Sequence, residues 1–210
     1  MQQGLLPLFP LQVVLFPGGQ LPLHIFEDRY KEMIREAIDQ RAEFGVVLAS
    51  EKGIVSAGCS ATVDQVLREY PDGRMDILTV GRRRFEILLL NEERVFLRGA
   101  VEFFDDEELA APVNAEMLRK AIDSYNEMQR LAERAPLAEG EEGEPRLSFR
   151  LGQPVPELAF RQTLLAARSE GERLRQIAEF LPGYLVRQRR IQHAKNVAPR
   201  NGHGLPGKGH

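Results

Sequence analysis

An α+β fold, in which a small rolled or barrel-like sheet carrying one inserted helix precedes a helical lobe, is predicted by three observations. Short apolar, β-branched runs separated by Pro/Gly turns occupy the first hundred residues. One stretch of 3.6-residue period interrupts them, and beyond Phe104 the pattern becomes helical throughout.

Each element can be justified in chain order. Gln12 to Phe16 (QVVLF) reads as a strand ended by Pro17-Gly18-Gly19, and Leu21 to Phe26 as a second short extended piece. From Glu27 the apolar residues Tyr30, Met33, Ile34, Ala37 and Ile38 recur at three- and four-residue steps, which predicts an amphipathic helix ending near Arg41. Phe44 to Ala49 is too short and too β-branched for a helix and reads as a buried strand. A hairpin follows: CSATVDQVLREY and RMDILTVGRRRFEILLL flank Pro71-Asp72-Gly73, where proline presets φ and glycine tolerates φ > 0. FEILLL and VFLRGAVEFF form a further pair around Asn91 to Arg94. Asp105-Asp106-Glu107-Glu108 is an acidic connector, after which Val113 to Ala135 carries Leu118, Ile122, Tyr125, Met128 and Leu131 on one helical face. Helices are predicted over Pro156 to Ala167, Gly171 to Leu181 and Tyr184 to about Lys195, with Pro182-Gly183 separating the last two. The resulting division is a β-rich lobe at 1–107, a helical lobe at 108–196 with a mobile acidic loop at 136–145, and a disordered tail at 197–210.

The bulk composition excludes several classes of function. A 43% hydrophobic content over 210 residues is enough for a core. Twenty-eight basic against 31 acidic residues give a net charge of −3, so no overall field draws the chain to nucleic acid or an anionic membrane. Cys59 is the single cysteine, which rules out an intrachain disulfide or thiolate cluster and suits the cytoplasm. The N-terminal apolar run has no preceding Lys or Arg, as a signal peptide would need, and breaks at Pro17 before it could span a bilayer.

No catalytic constellation emerges, and neither a cofactor nor a metal is expected. Gly202 to Lys208 (GHGLPGK) matches part of a phosphate loop, but Gly209 stands where the Mg²⁺-binding hydroxyl belongs and His210 ends the sequence. His24, in the β lobe, has no metal-ligand spacing around it and reads as a packing or hydrogen-bonding residue. Cys59 reads as a small buried hydrophobe. Arg82 and Arg84 should share one solvated strand face opposite Arg83, and Arg187, Arg189, Arg190 and Lys195 read as a solubilising cluster.

Several blocks in order resemble the Lon protease N-terminal, or LON substrate-binding, domain family. They are LPLFPLQVVLFPG (6–18), LPLHIFEDRY (21–30), FGVVL (44–48), GCSATV (58–63), YPDGR (70–74) and GRRRFEI (81–87), followed by FRQTLL (160–165) and ERLRQI (172–177). The resemblance implies a PUA-like β pseudobarrel with a helix against it and a helical bundle behind. It also implies a stand-alone domain, without Lon's ATPase or peptidase, that is not an enzyme. The implied role is recognition of unfolded or specific client polypeptides, or protein–protein contact as an adaptor or regulator of proteolysis, with a protease or a second copy as further partners. Pro17, Gln20, Leu21, Leu23 and Phe26 are the candidate peptide-binding ledge, against the competing expectation that Val13, Val14, Phe16, Ile25 and Phe26 face the core. A small-molecule or RNA-binding PUA-like domain is the alternative, with a pocket ringed by Arg82, Arg84 or the 187–195 cluster; the acidic total weighs against nucleic acid.

Overall fold

In a computed structural model, which describes residues 4–51, 53–107 and 114–197, the extended runs become β1 (Leu6–Leu11), β2 (Gln20–Ile25), β3 (Phe44–Ser50), β4 (Gly53–Glu69), β5 (Met75–Asn91) and β6 (Arg98–Phe104). They form one mixed sheet in the order β2-β5-β4-β3-β1-β6. A further pairing of β5 with β6 closes β1, β3, β4, β5 and β6 into a ring and leaves β2 attached outside it. β1 runs parallel to β3, with Leu8 opposite Gly45 and Leu11 opposite Leu48. The 17-residue β5 borders β2 with its first half and β6 with its second.

Bulges let β4 and β5 bend around this ring. Between Val63 and Gln65 the register on β4 skips Asp64, and between Ile87 and Leu89 the register on β5 skips Leu88. Inside, Leu8, Val47 and Phe85 are fully buried, surrounded by Leu6, Ile54, Ile87, Leu97, Val101 and Phe103. Phe85 owes its place to two glycines. A Cβ on Gly45 of β3 would lie 2.6 Å from the Phe85 Cζ, and one on Gly58 of β4 only 2.5 Å from it, so the ring occupies space that other residues would fill.

The period change at Glu27 marks α1 (Asp28–Gln40), which buries Tyr30, Met33, Ile34 and Ala37. Its first turn is charge-balanced by Asp28 with Lys31 at 3.0 Å and Glu27 with Arg29 at 2.6 Å. The Tyr30 ring meets Phe9 of β1 with centroids 4.1 Å apart.

The predicted strand QVVLF is not one. β1 lies earlier, at LPLFPL, and Val14, Leu15 and Phe16 are buried in the non-strand segment between β1 and β2. The segment is held by groups more than a hundred residues away. Arg161 donates to the Val14 carbonyl at 2.6 Å, and Phe16 stacks on Phe149 at 5.1 Å. Both partners belong to helices α3 (Leu147–Gly152) and α4 (Leu158–Ala166); the sequence reading places α4 correctly and omits α3. Gln162 of α4 also donates to the Ala57 carbonyl of β4 at 2.8 Å.

The chain divides by contacts into two units. The sheet, α1 and the stretch Ser148–Glu170 make one; Ala111–Leu147 and the residues from Gly171 onward make the other. In the second unit α2 spans Ala115–Leu131, shorter at both ends than the periodicity predicts, and Asn114 caps it by accepting from the Glu116 and Met117 amides at 2.9 and 3.1 Å. Over 136–145, Leu137 is buried and its amide donates to Asn126, ahead of a 3₁₀ turn at Glu141–Gly143. The two predicted C-terminal helices are one helix, α5 (Glu170–Val197), that runs through Pro182. Proline removes one backbone donor, yet Leu181, Tyr184 and Leu185 are buried on either side of it, and this burial holds the helix continuous. The tail predicted at 197–210 starts within α5, which ends at Val197; its remainder, with the phosphate-loop-like GHGLPGK, and the proposed boundary at 108 lie outside the described residues.

Candidate polypeptide-binding edge

β2 lies at one end of the sheet and, among the described residues, pairs with β5 alone, Leu21 opposite Thr79, Leu23 opposite Ile77 and Ile25 opposite Met75. Its alternation divides the predicted ledge between two sides. Leu21 and Leu23 are half-buried on the inward side with Ile25, whereas Gln20, Pro22 and His24 are exposed on the other. Pro17 is half-buried in the preceding turn. Phe26, placed in the candidate ledge and in the competing core set alike, is 60% exposed, because it follows Ile25 on the outward side and α1 begins before the chain can turn it inward. Val14, Phe16 and Ile25 are buried as expected, and Val13 is half-buried.

Phe26 belongs to an aromatic and cationic cluster at the C-terminal end of β2. Its ring stacks against His24 with centroids 6.0 Å apart, and His24 meets the edge of Tyr70 at 6.0 Å. The Arg68 and Arg74 guanidinium groups lie 4.5 and 4.9 Å from the Tyr70 ring centre. Asp76 joins the parts, with one oxygen 2.6 Å from His24 Nδ1 and the other accepting from the Tyr70 hydroxyl at 2.8 Å. The His24 bond, followed by that from Tyr70, holds the Asp76 carboxyl below the usual carboxylate range.

A groove of about 680 Å³ opens beside α1, floored by Leu6, Met33, Phe96, Val101 and Phe103. Several of its rim charges are matched. Arg94 bonds Glu36 and Glu32, which raise its pKa, and Arg83 pairs with Glu43 at 3.1 Å. Next to it Leu88, Leu89 and Leu90 are exposed in succession, because the bulge at Leu88 breaks their alternation.

Arg84 does not share a solvated face with Arg82. It is 4% exposed, pairs with Asp106 at 2.6 Å and donates to the Leu165 and Ala167 carbonyls, while Arg82 is exposed and donates to Thr62 at 2.9 Å. The reason is a register shift. Three residue steps on β5, Gly81 to Arg84, face two on β4, Cys59 to Ala61, so alternation fails there. Arg84 therefore cannot line a ligand pocket of the kind the RNA or small-molecule alternative requires. Of the terminal cluster, Arg189 bonds Glu127 and Arg187 lies over Phe180. Cys59 is buried in the sheet, and His24 makes the hydrogen bond expected of it. Among the described residues, no group of three or more His, Cys, Asp or Glu is placed to hold a metal ion, and no helix is long and apolar enough to cross a membrane.

A closed mixed sheet with one outlying strand, an inserted helix and a helical remainder defines a class, and the sequence carries the same class along most of its length. Residues 5–183 match the ATP-dependent protease La (LON) substrate-binding domain, and the chain belongs to that family. Among its relatives, the Lon protease of Parabacteroides distasonis is 33% identical over 110 residues, 48% of this chain and 13% of that protease. Lon protease 1 of Hydrogenovibrio crunogenus is 26% identical over 132 residues, 59% of this chain and 16% of that one. The chain thus spans only a small part of the curated relatives it matches. In fold it is similar to the Lon N-terminal domain protein from Xanthomonas campestris, with a TM-score of 0.66 at 24% identity, covering 84% of this chain and 98% of that one. The N-terminal domain of Mycobacterium avium complex Lon protease gives 0.61 at 18% identity, covering 85% and 98%.

Proposed function

We propose that the protein is a non-catalytic module that recognises unfolded or otherwise extended client polypeptides, acting as an adaptor or regulator of proteolysis. The observation that carries this reading is the family match over residues 5–183 to a substrate-binding domain. The β2 segment supplies suitable surface chemistry: a strand without Lys, Arg, Asp or Glu, followed by exposed Phe26 beside His24 and Tyr70. Burying apolar area there stabilises a complex by roughly 25 cal/mol per Å² and demands no particular client sequence. The test is fluorescence anisotropy with labelled lactalbumin. The reduced, carboxymethylated and hence unfolded form should bind with or without ATP, and the native form should not. Failure to bind unfolded lactalbumin, or equal binding of both forms, overturns the reading.

A further inference from the structure

We infer that β2 binds its client by strand addition, the outer edge of Gln20–Ile25 pairing with an extended, largely uncharged client segment; this rests on the polypeptide-recognition reading above. Four observations converge on that edge. β2 ends the sheet, and among the described residues β5 is the element that runs alongside it. Its backbone orientation can be read from one bond: Thr79 Oγ1 donates to the Leu21 carbonyl at 2.8 Å, so that carbonyl faces β5. By antiparallel alternation Leu21, Leu23 and Ile25 bond inward, while Gln20, Pro22 and His24 turn their backbone groups away from the sheet. Pro22 thus falls where its missing N–H would have pointed outward, the position a sheet tolerates.

That leaves outward N–H groups on Gln20 and His24 and outward carbonyls on Gln20, Pro22 and His24, a ladder for one added strand. Edge strands are ordinarily blunted by Lys or other charges and by proline; QLPLHI has no Lys, Arg, Asp or Glu, and Pro22 is its one interruption of the outward ladder. A paired segment would place every second side chain beside Pro22, His24 and Phe26, which selects apolar residues at alternate positions. A client side chain packed on Phe26 is desolvated if it is charged, so the positions beside that ring favour uncharged residues, while Arg68 and Arg74 lie on the far side of His24, over Tyr70.

The experiment uses the whole chain with reduced, carboxymethylated lactalbumin as probe. Backbone amide exchange is read by NMR in the wild type, and affinity is measured for two variants. Strand addition predicts that the Gln20 and His24 amides gain at least about tenfold protection on saturation. His24→Pro, which deletes the outward donor, should weaken binding about tenfold or more; Pro22→Ala, which adds one, should tighten it by roughly two- to tenfold, the worth of a single net hydrogen bond. If lactalbumin binds while both amides exchange unchanged, or Pro22→Ala and His24→Pro bind like wild type, the edge is not the site and polypeptide recognition stands without it. If lactalbumin does not bind at all, both readings fall. Misfolding of His24→Pro would not rescue the idea, because the wild-type amides and Pro22→Ala decide it independently.

Discussion

β1 and β2 are six-residue strands of nearly the same material, LPLFPL and QLPLHI, and they occupy opposite environments. β1 has two strand neighbours, β3 at Leu8 to Leu11 and β6 at Leu6 and Pro7, and Leu8 is fully buried. β2 is paired on one side, with exposed residues at every second position. Apolar, proline-bearing composition therefore does not distinguish a strand that builds the barrel from one that lies outside it. The number of neighbours does, and neighbours come from β3, β5 and β6, far along the chain.

Truncation should separate the two strands most clearly. Leu8→Ala in β1 opens a cavity in the barrel and should cost about 2–5 kcal/mol, read as a lower urea midpoint with unchanged slope. Leu23→Ala, at a half-buried position opposite Ile77, should cost only about 1 kcal/mol. Equal losses would mean that β2 is as integral to the core as β1.

Acid should loosen β2 and spare β1. Asp76 carries a depressed pKa because His24 and Tyr70 bond its carboxylate, with Arg68 close by. Its contribution is therefore fully present above the ordinary carboxylate pKa of 3.8 and is lost as pH falls through the lower folded value. Hydrogen exchange of β2 amides should accelerate in that acid range relative to β1, whose six residues include no titratable side chain. Asp76→Asn should abolish the difference in acid response between the strands.

The smallest effect on stability belongs to Phe26→Ser. At 60% exposure the ring contributes little to the core, so the change should stay within about 0.5 kcal/mol. Binding of unfolded lactalbumin should nevertheless fall by several-fold. A large loss of stability would place Phe26 with the core residues of β1 after all.

Legibility followed the range of the interactions involved. Helix α1, strand β3 and the β4–β5 hairpin are decided locally, by the period of Tyr30, Met33, Ile34 and Ala37, by FGVVLA and by Pro71-Asp72-Gly73, and all three appear where the residues predict them. The buried Val14–Phe16 segment was opaque because Arg161 and Phe149 hold it from more than 130 residues away. Arg84 was misplaced because a bulge shifts alternation without any mark in RRR, and Pro182 read as a break because flanking burial is a tertiary matter. The candidate ledge was legible as a segment only. Which of its residues face outward depends on pairing with β5, which its own sequence does not display.

The slot that holds Phe85 bears on motion as well as on packing. A phenyl ring turns over only when its surroundings momentarily swell, and here Gly45 and Gly58 bring two strand backbones against its tip while Phe103 meets it edge-on at 6.1 Å. Rotation should be slow enough for the two edges of the ring to give separate NMR signals that merge on warming, whereas the exposed Phe26 should show averaged signals throughout. The temperature of merging then reports how often the barrel breathes.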